Sequence, residues 1–323
     1  MKNTYFKNLP IGYVSSLLLL LVCLLFLSAQ TKNSPEPISV PKIEPQSQEK
    51  LLGAELYYQQ MENYQVRVYL TKYISATAAP IRQFETVALY EREAFMLHST
   101  LQLEQECAAE ISPAAIACGQ TPGLRKVTYS VLTMLSPMPG GFDITWGQCC
   151  LDEALLVNVA ADKALDFALS VHLPDPMDGK INSMPYMEGL PAHLLCANEQ
   201  QVLTLAAKDE DGDQIAYSFS TLFSQESIAK KGGNLAMPTN PENAVYEMPK
   251  LTGRPPFKPM AYKPSFSALR PINGTGCQLD EQSGQLSFET SLSGHYLIGL
   301  TLKDFREKQL LSEHQCVWLV EVI

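Results

Sequence analysis

Along most of the chain, large apolar residues recur at every second position. Tyr64, Val66, Val68 and Leu70 share one face of YQVRVYL, and Leu165, Phe167, Leu169, Val171 and Leu173 share one face of LDFALSVHL. In HYLIGLTLKDF, Tyr296, Ile298, Leu300 and Leu302 do the same. A repeat of two belongs to an extended strand with one buried face. Between such runs lie SPMPGG, PDPMDGK, NPENA, TGRPP and NGTG, clusters of the residues that turns need. Many short strands punctuated this way predict antiparallel sandwiches. The expected fold is all-β, with two consecutive antiparallel β-sandwich domains over 51–180 and 181–323, joined within PDPMDGKINSMPYMEGLP. One stretch fits two periods: in FETVALYEREAFMLHSTLQLEQE, VALY favours a strand, while EREAFMLHSTLQLEQE also fits a helical turn or two.

The first residues break the pattern. Lys2 and Lys7 flank an unbroken apolar run, Leu17 to Leu27, followed by Ser28-Ala29 and then polar sequence. This is the layout of an export signal over residues 1–29. The run is shorter than the roughly 20 residues a membrane span needs. Cleavage near Ala29 is the first reading and retention as an N-terminal membrane anchor the second. Lipid attachment at Cys23 is disfavoured by bulky Val22. Each reading puts the remainder outside the cytoplasm: extracellular, at the cell surface or periplasmic. Residues 30–50, with four prolines in TKNSPEPISVPKIEPQSQEK, read as an extended tether.

Charge and cysteine usage narrow the partners. The chain has 323 residues, with 24 basic and 34 acidic side chains and a formal net charge of −10. That balance repels phosphate backbones and points away from nucleic acid. In an exported chain, Cys107, Cys118, Cys149, Cys150, Cys196, Cys277 and Cys316 are disulfide candidates first. The preferred pairs are Cys107–Cys118 and Cys277–Cys316, with one of Cys149/Cys150 taking Cys196. Seven is odd, so at least one stays free or bridges to another chain. No CxxC occurs, which argues against a zinc cluster of paired thiolates.

AAKDEDGDQIAYSF, Ala206 to Phe219, is the most chemically suggestive stretch. Counting Asp209 as the first position of a calcium loop puts Asp211 and Asp213 at the third and fifth. The sixth and twelfth are then Gln214 and Ser220, where an EF-hand requires Gly and Glu. The EF-hand is therefore rejected. Leu203 and Leu205 alternate before the turn, and Ile215, Tyr217 and Phe219 after it, so the first reading is strand, Asp-Gly turn, strand. A looser calcium site using Asp209, Asp211 and Asp213 is the second.

From Asn182 onward the order of features resembles the immunoglobulin-like, PKD- or cadherin-like modules of secreted surface and gliding-motility-associated proteins of gliding bacteria. The residues that carry the resemblance are Asn182, Ser183, Pro185, Pro191, Cys196, Asp211-Gly212-Asp213, Tyr217-Ser218, Pro255-Pro256-Phe257 and Tyr262. They continue with Asp280 to Gly284, Gly294-His295-Tyr296 and Phe305-Arg306. The first half is similar more loosely, through GAELYYQQMENYQVRVYL, Tyr129 and WGQCC. It departs where Leu151-Asp152 follow the twin cysteine and where Tyr69-Leu70-Thr71-Lys72 lacks the family's cysteine. The resemblance implies immunoglobulin-like sandwiches in an exported, adhesive or structural protein.

Catalytic patterns are sparse. There is no G-x-S-x-G, and His98, His172, His193, His295 and His314 show no H-x-x-x-H spacing. Trp146 and Trp318 lie in strand-like runs, which favours core packing over sugar stacking. Asn273-Gly274-Thr275 reads first as a turn. The function expected is that of a non-enzymatic cell-envelope protein with an adhesin-like or structural binding role. Its partner would be a cell-surface protein or glycan, met through end loops including 209–213 and 253–259. The rivals are a carbohydrate-binding module, which needs an exposed tryptophan, and a glycan-active enzyme, which needs facing carboxylates in a cleft.

Overall fold

The computed structural model describes residues 50–323 apart from 77–80, 112–122, 152–155, 161–164, 176, 178–180, 191 and 228–250, and apart from the side chains of 149–151 and 165. The export segment and the tether to residue 49 lie outside these residues. The strands are β1 (Leu51–Gln60), β2 (Gln65–Ser75), β3 (Phe84–Glu91), β4 (Met96–Ile111), β5 (Leu124–Met134), β6 (Phe142–Leu151) and β7 (Val159–Ala160). They continue as β8 (Leu165–Leu173), β9 (Tyr186–Met187), β10 (Leu194–Leu195), β11 (Gln201–Thr204), β12 (Ala207–Lys208), β13 (Gln214–Phe219) and β14 (Phe223–Ser227). The last six are β15 (Phe257–Pro259), β16 (Ala261–Tyr262), β17 (Thr275–Leu279), β18 (Gln285–Glu289), β19 (Gly294–Arg306) and β20 (Gln309–Val322). The described residues contain no helix, and the ambiguous EREAFMLHSTLQLEQE becomes a turn followed by β4.

Among the described residues one thirteen-stranded sheet dominates, in the order β13-β19-β20-β1-β2-β5-β4-β3-β6-β8-β14-β15, with β10 beside β20. Its pairings are antiparallel except for the short β10–β20 contact. β8 packs against β1 and β20, although the hydrogen-bonded path between β1 and β8 runs through β2, β5, β4, β3 and β6. The sheet therefore curls over on itself as a sandwich does. Smaller sheets, β11-β18-β17, β12-β9 and β16-β7, complete the layers.

The alternation predicted for single faces holds: Val66, Val68, Leu70, Phe167, Leu169, Val171, Ile298, Leu300 and Leu302 are all buried, whereas Tyr64 at the edge of its run is exposed. What alternation did not disclose is that β19 and β20 are buried on both faces over Tyr296–Leu300 and Cys316–Val320. Leu297, Val317 and Leu319 enter one hydrophobic cluster with β1, β2, β6 and β8. Tyr296, Ile298, Cys316, Trp318, Val320 and Val322 enter a second with β11, β13 and β18. Segment 182–187, in the expected junction between halves, runs along β1. Gln60 N–H donates to Asn182 O at 3.1 Å and Met184 N–H to Tyr58 O at 2.9 Å.

Two tight hairpins set the register. The β1–β2 turn holds Asn63 and Tyr64 at φ 59° and 60°, and the β19–β20 turn holds Glu307 and Lys308 at 52° and 67°. Both-positive φ is the geometry whose twist matches antiparallel strands. Each non-glycine residue there costs about 1–2 kcal/mol, offset by long ladders such as the one from Gly294↔Val322 to Arg306↔Gln309.

Two of the cysteine pairings need correction. Cys107, Cys277 and Cys316 are free thiols, so neither Cys107–Cys118 nor Cys277–Cys316 forms. Cys107 is exposed on β4, at a register shift opposite Thr128. Cys316 lies opposite Glu55 on β1, in a different sheet from Cys277. Cys196 is disulfide-bonded. Its expected partners, Cys149 or Cys150, have side chains outside the described residues, as does Cys118.

Inside the first cluster sits a buried ion pair. Lys72 Nζ lies 2.8 Å from Glu85 Oε1, with side chains 0% and 7% exposed. Trp146 Nε1–H donates to Glu85 Oε2 at 3.3 Å, and the ammonium stands over the rings of Tyr129 and Trp146. Removing one member strands the other's charge. Lys72→Met is therefore expected to lower unfolding free energy by about 3–5 kcal/mol, with Lys72→Met/Glu85→Leu regaining most of it. Urea titration of both variants tests this; a single variant as stable as the native chain contradicts it.

Candidate functional site

The acidic turn forms between β12 and β13, with Gly212 at φ 78°. Asp209 Oδ1 accepts the backbone N–H groups of Asp211 and Asp213, each at 2.9 Å, so this carboxylate closes the turn. Asp211 Oδ2 accepts Ser183 N–H at 2.6 Å. Asp213 is gripped at both oxygens by Arg306, from Nε at 2.9 Å and Nη2 at 2.6 Å. Nη2 also reaches Asn182 Oδ1 at 3.3 Å and Asp211 Oδ2 at 3.5 Å. The structure thus brings together Asn182-Ser183, Asp211-Gly212-Asp213 and Arg306, three separated pieces of the sequence pattern.

The sequence-predicted trio does not converge as one cage. The carboxylates that approach one another are Asp209, Asp213 and Asp304, within 4.8 Å. Asp304 lies outside the predicted trio, on β19. It is fully buried, and accepts from Asn182 Nδ2 at 2.8 Å and from Ser312 Oγ. Its signal was available, because in HYLIGLTLKDF it continues the inward phase of Leu300 and Leu302. Burial raises the Asp304 carboxyl pKa, and burial with the nearby charges of Asp304 and Asp213 raises that of Asp209. The Asp213 contact raises the pKa of Arg306. Asp209, Asp213 and Asp304 are the residues here that could hold a cation, and the Arg306 guanidinium already meets Asp213 and Asp211.

The second feature is a groove of about 920 Å³ beside the β19–β20 turn, the same hairpin end that carries Asp304 and Arg306. Its walls come from Arg92–Phe95 at the β3–β4 turn, Pro255-Pro256, and Leu310–Glu313 at the start of β20, with Asp143 and His172 also lining it. The proline segment is tied down by Tyr90 Oη–H, which donates to Thr252 O at 2.9 Å. Arg254 lies 4.5 Å from the ring centre of Phe95, itself 58% exposed. Asp143 is paired with Arg92 at 3.2 Å and His172 at 3.6 Å. The expected loop 253–259 therefore helps wall the groove, whereas the 209–213 turn does not line it.

Other candidates resolve simply. Trp146 and Trp318 are 2% and 0% exposed, so neither is available for sugar stacking. His172 and His295 lie within β8 and β19. No helix among the described residues is long and apolar enough to cross a membrane. No family model matches the chain, and no curated protein and no solved structure matches it.

The raised Asp209 and Asp304 values fix a pH direction. Stability associated with their protonation is full below 3.8 and lost as pH rises through their folded values. Above that range Arg306 offsets the accumulated negative charge. Arg306→Ala should therefore cost about 1.5–3 kcal/mol at pH 7, toward the lower figure because the guanidinium is 31% exposed and screened. The deficit should shrink toward pH 4. Denaturant titrations at the two pH values check this, and a deficit independent of pH contradicts it.

Proposed function

We propose that this chain is a non-enzymatic, exported cell-envelope protein that binds a cell-surface protein or glycan in the groove beside Phe95. The observation that carries the reading is the groove's construction. It joins chain segments far apart in sequence, and it offers exposed Phe95 and Leu310 together with Arg92 and an Arg254–Phe95 stack. Apolar anchors beside arginine are what binding surfaces concentrate. Asp143 pairs with both Arg92 and His172 inside the groove, which suits the three to holding its shape. Export rests on the N-terminal sequence pattern, and the adhesive or structural role is supported by the resemblance to immunoglobulin-like modules. Calcium is not needed for this reading, since Arg306 supplies positive charge at the acidic turn.

Phe95→Asp and Leu310→Asp replace exposed side chains, so the fold should survive both. Each is expected to weaken binding of the purified full chain to isolated envelopes of the producing cells by about tenfold, a loss of about 1.4 kcal/mol, with unchanged thermal unfolding. A tagged chain should fractionate with the envelope or the medium. Undiminished binding by both variants overturns the assignment of the groove, and recovery of the tagged chain wholly in the cytosol overturns export.

A further inference from the structure

On β20 the alternate residues His314, Cys316 and Trp318 point to one face, and Glu55 of β1 stands directly opposite Cys316. Three donor atoms meet there. Cys316 Sγ is 3.7 Å from Glu55 Oε2 and 3.7 Å from His314 Nε2, and His314 Nε2 is 3.7 Å from Glu55 Oε2. They form an equilateral triangle whose centre lies 3.7/√3, or about 2.1 Å, from each atom. Zinc takes nitrogen and carboxylate ligands at about 2.0–2.2 Å and thiolate at about 2.3 Å. The nitrogen–oxygen separation is too long for a hydrogen bond, which needs about 2.7–3.2 Å. It has the length of an edge between two ligands of one ion.

Burial supplies the second observation. Glu55 is 1% exposed, His314 2% and Cys316 5%. Glu55 Oε1 and His314 Nδ1 are buried with no hydrogen-bond partner. An interior carboxylate with an oxygen left unpaired is costly. Among the described residues no lysine or arginine forms an ion pair with Glu55, whose ion-pair contact is to His314.

We propose that Glu55, His314 and Cys316 form a structural zinc site that pins β20 to β1 beneath β9. A thiolate and a carboxylate carry two negative charges, so one divalent zinc with a neutral imidazole makes an electrically neutral group suited to the interior. The mixed sulfur, nitrogen and oxygen set matches zinc's borderline softness. Glu55 Oε2 also accepts Met187 N–H at 2.9 Å, the kind of outer hydrogen bond that orients a ligating carboxylate. Oε1 of the same carboxylate is a candidate fourth donor. The arrangement does not suit a cysteine nucleophile: Glu55 and Cys316 approach the same imidazole nitrogen, whereas a relay uses the two nitrogens separately.

The test is cobalt substitution of the purified full chain after chelation. Expected are one tightly held cobalt per chain, a sulfur-to-cobalt charge-transfer band with tetrahedral d–d bands, and a melting temperature that falls on chelation and recovers with zinc. Cys316→Ser should abolish the charge-transfer band, while Cys277→Ser and Cys107→Ser should leave it unchanged. Because Cys316→Ser replaces a buried residue, the wild-type spectrum stands as a separate criterion. Absence of a charge-transfer band from the loaded wild-type chain, as for cobalt held by the acidic turn alone, overturns the proposal. So does a band that persists in Cys316→Ser.

Discussion

The double burial of β20 is the constraint on which the rest of the molecule turns. Val317 and Leu319 face one hydrophobic cluster, while Cys316, Trp318, Val320 and Val322 face the other. Over Cys316–Val320 the strand has no solvent side on which to place polar groups, so any that point inward there must find partners inside. β1 shares the burden, being buried from Leu51 to Tyr58. Its Gly53 lies opposite Trp318, where a side chain would meet Val317 O and Leu190. Close strand contact there binds the first and last described strands into one sheet.

That constraint explains why ionisable groups cluster. Lys72 and Glu85 neutralise each other within the first cluster. Asp304 is held by Asn182 and Ser312 and borders the acidic turn, which Arg306 balances. In both places the cation belongs to the chain. Lys72 of β2 meets Glu85 of β3, although β5 and β4 separate those strands in the sheet order. Arg306 of β19 meets the turn that precedes β13. A buried network of this kind favours one arrangement of strands over near alternatives, since slipping the register by one residue would leave charges unmatched. The ends of the hairpins escape this restriction, and there the chain exposes Phe95 and Leu310.

Period-two patterning made the fold class legible because half-buried strands leave that trace. It revealed less about β19 and β20. CVWLVEVI is nearly continuous in apolar residues, the mark of a strand covered on both faces, but one residue in eight is charged and alternation draws the eye first. The β19–β20 turn was hidden for another reason: Glu307 and Lys308 occupy positions where Asn-Gly is the usual signal. At the acidic turn, Asp209, Asp211 and Asp213 were visible as a local motif. Asp304 could be found only by noticing an acid in the inward phase of a strand. The Cys277–Cys316 pair failed because spacing carries no information about which sheet a thiol enters. Cys316 and Cys277 lie in different sheets, and Cys316 faces Glu55, which is 261 residues away.

His314-x-Cys316 shows what the same reasoning can recover once strand phase is taken seriously. Searching for CxxC assumes that metal ligands come from a tight loop, where two neighbouring thiolates can bend toward one ion. A strand brings ligands together differently, by placing i and i+2 on one face and a third donor directly across the ladder. Each polar residue in an inward phase then asks where its counter-charge comes from. For Asp213 the answer is Arg306, and Asp304 is held instead by hydrogen bonds from Asn182 and Ser312. Glu55 has no such lysine or arginine partner among the described residues, and the charge it requires is the charge that a divalent ion would bring.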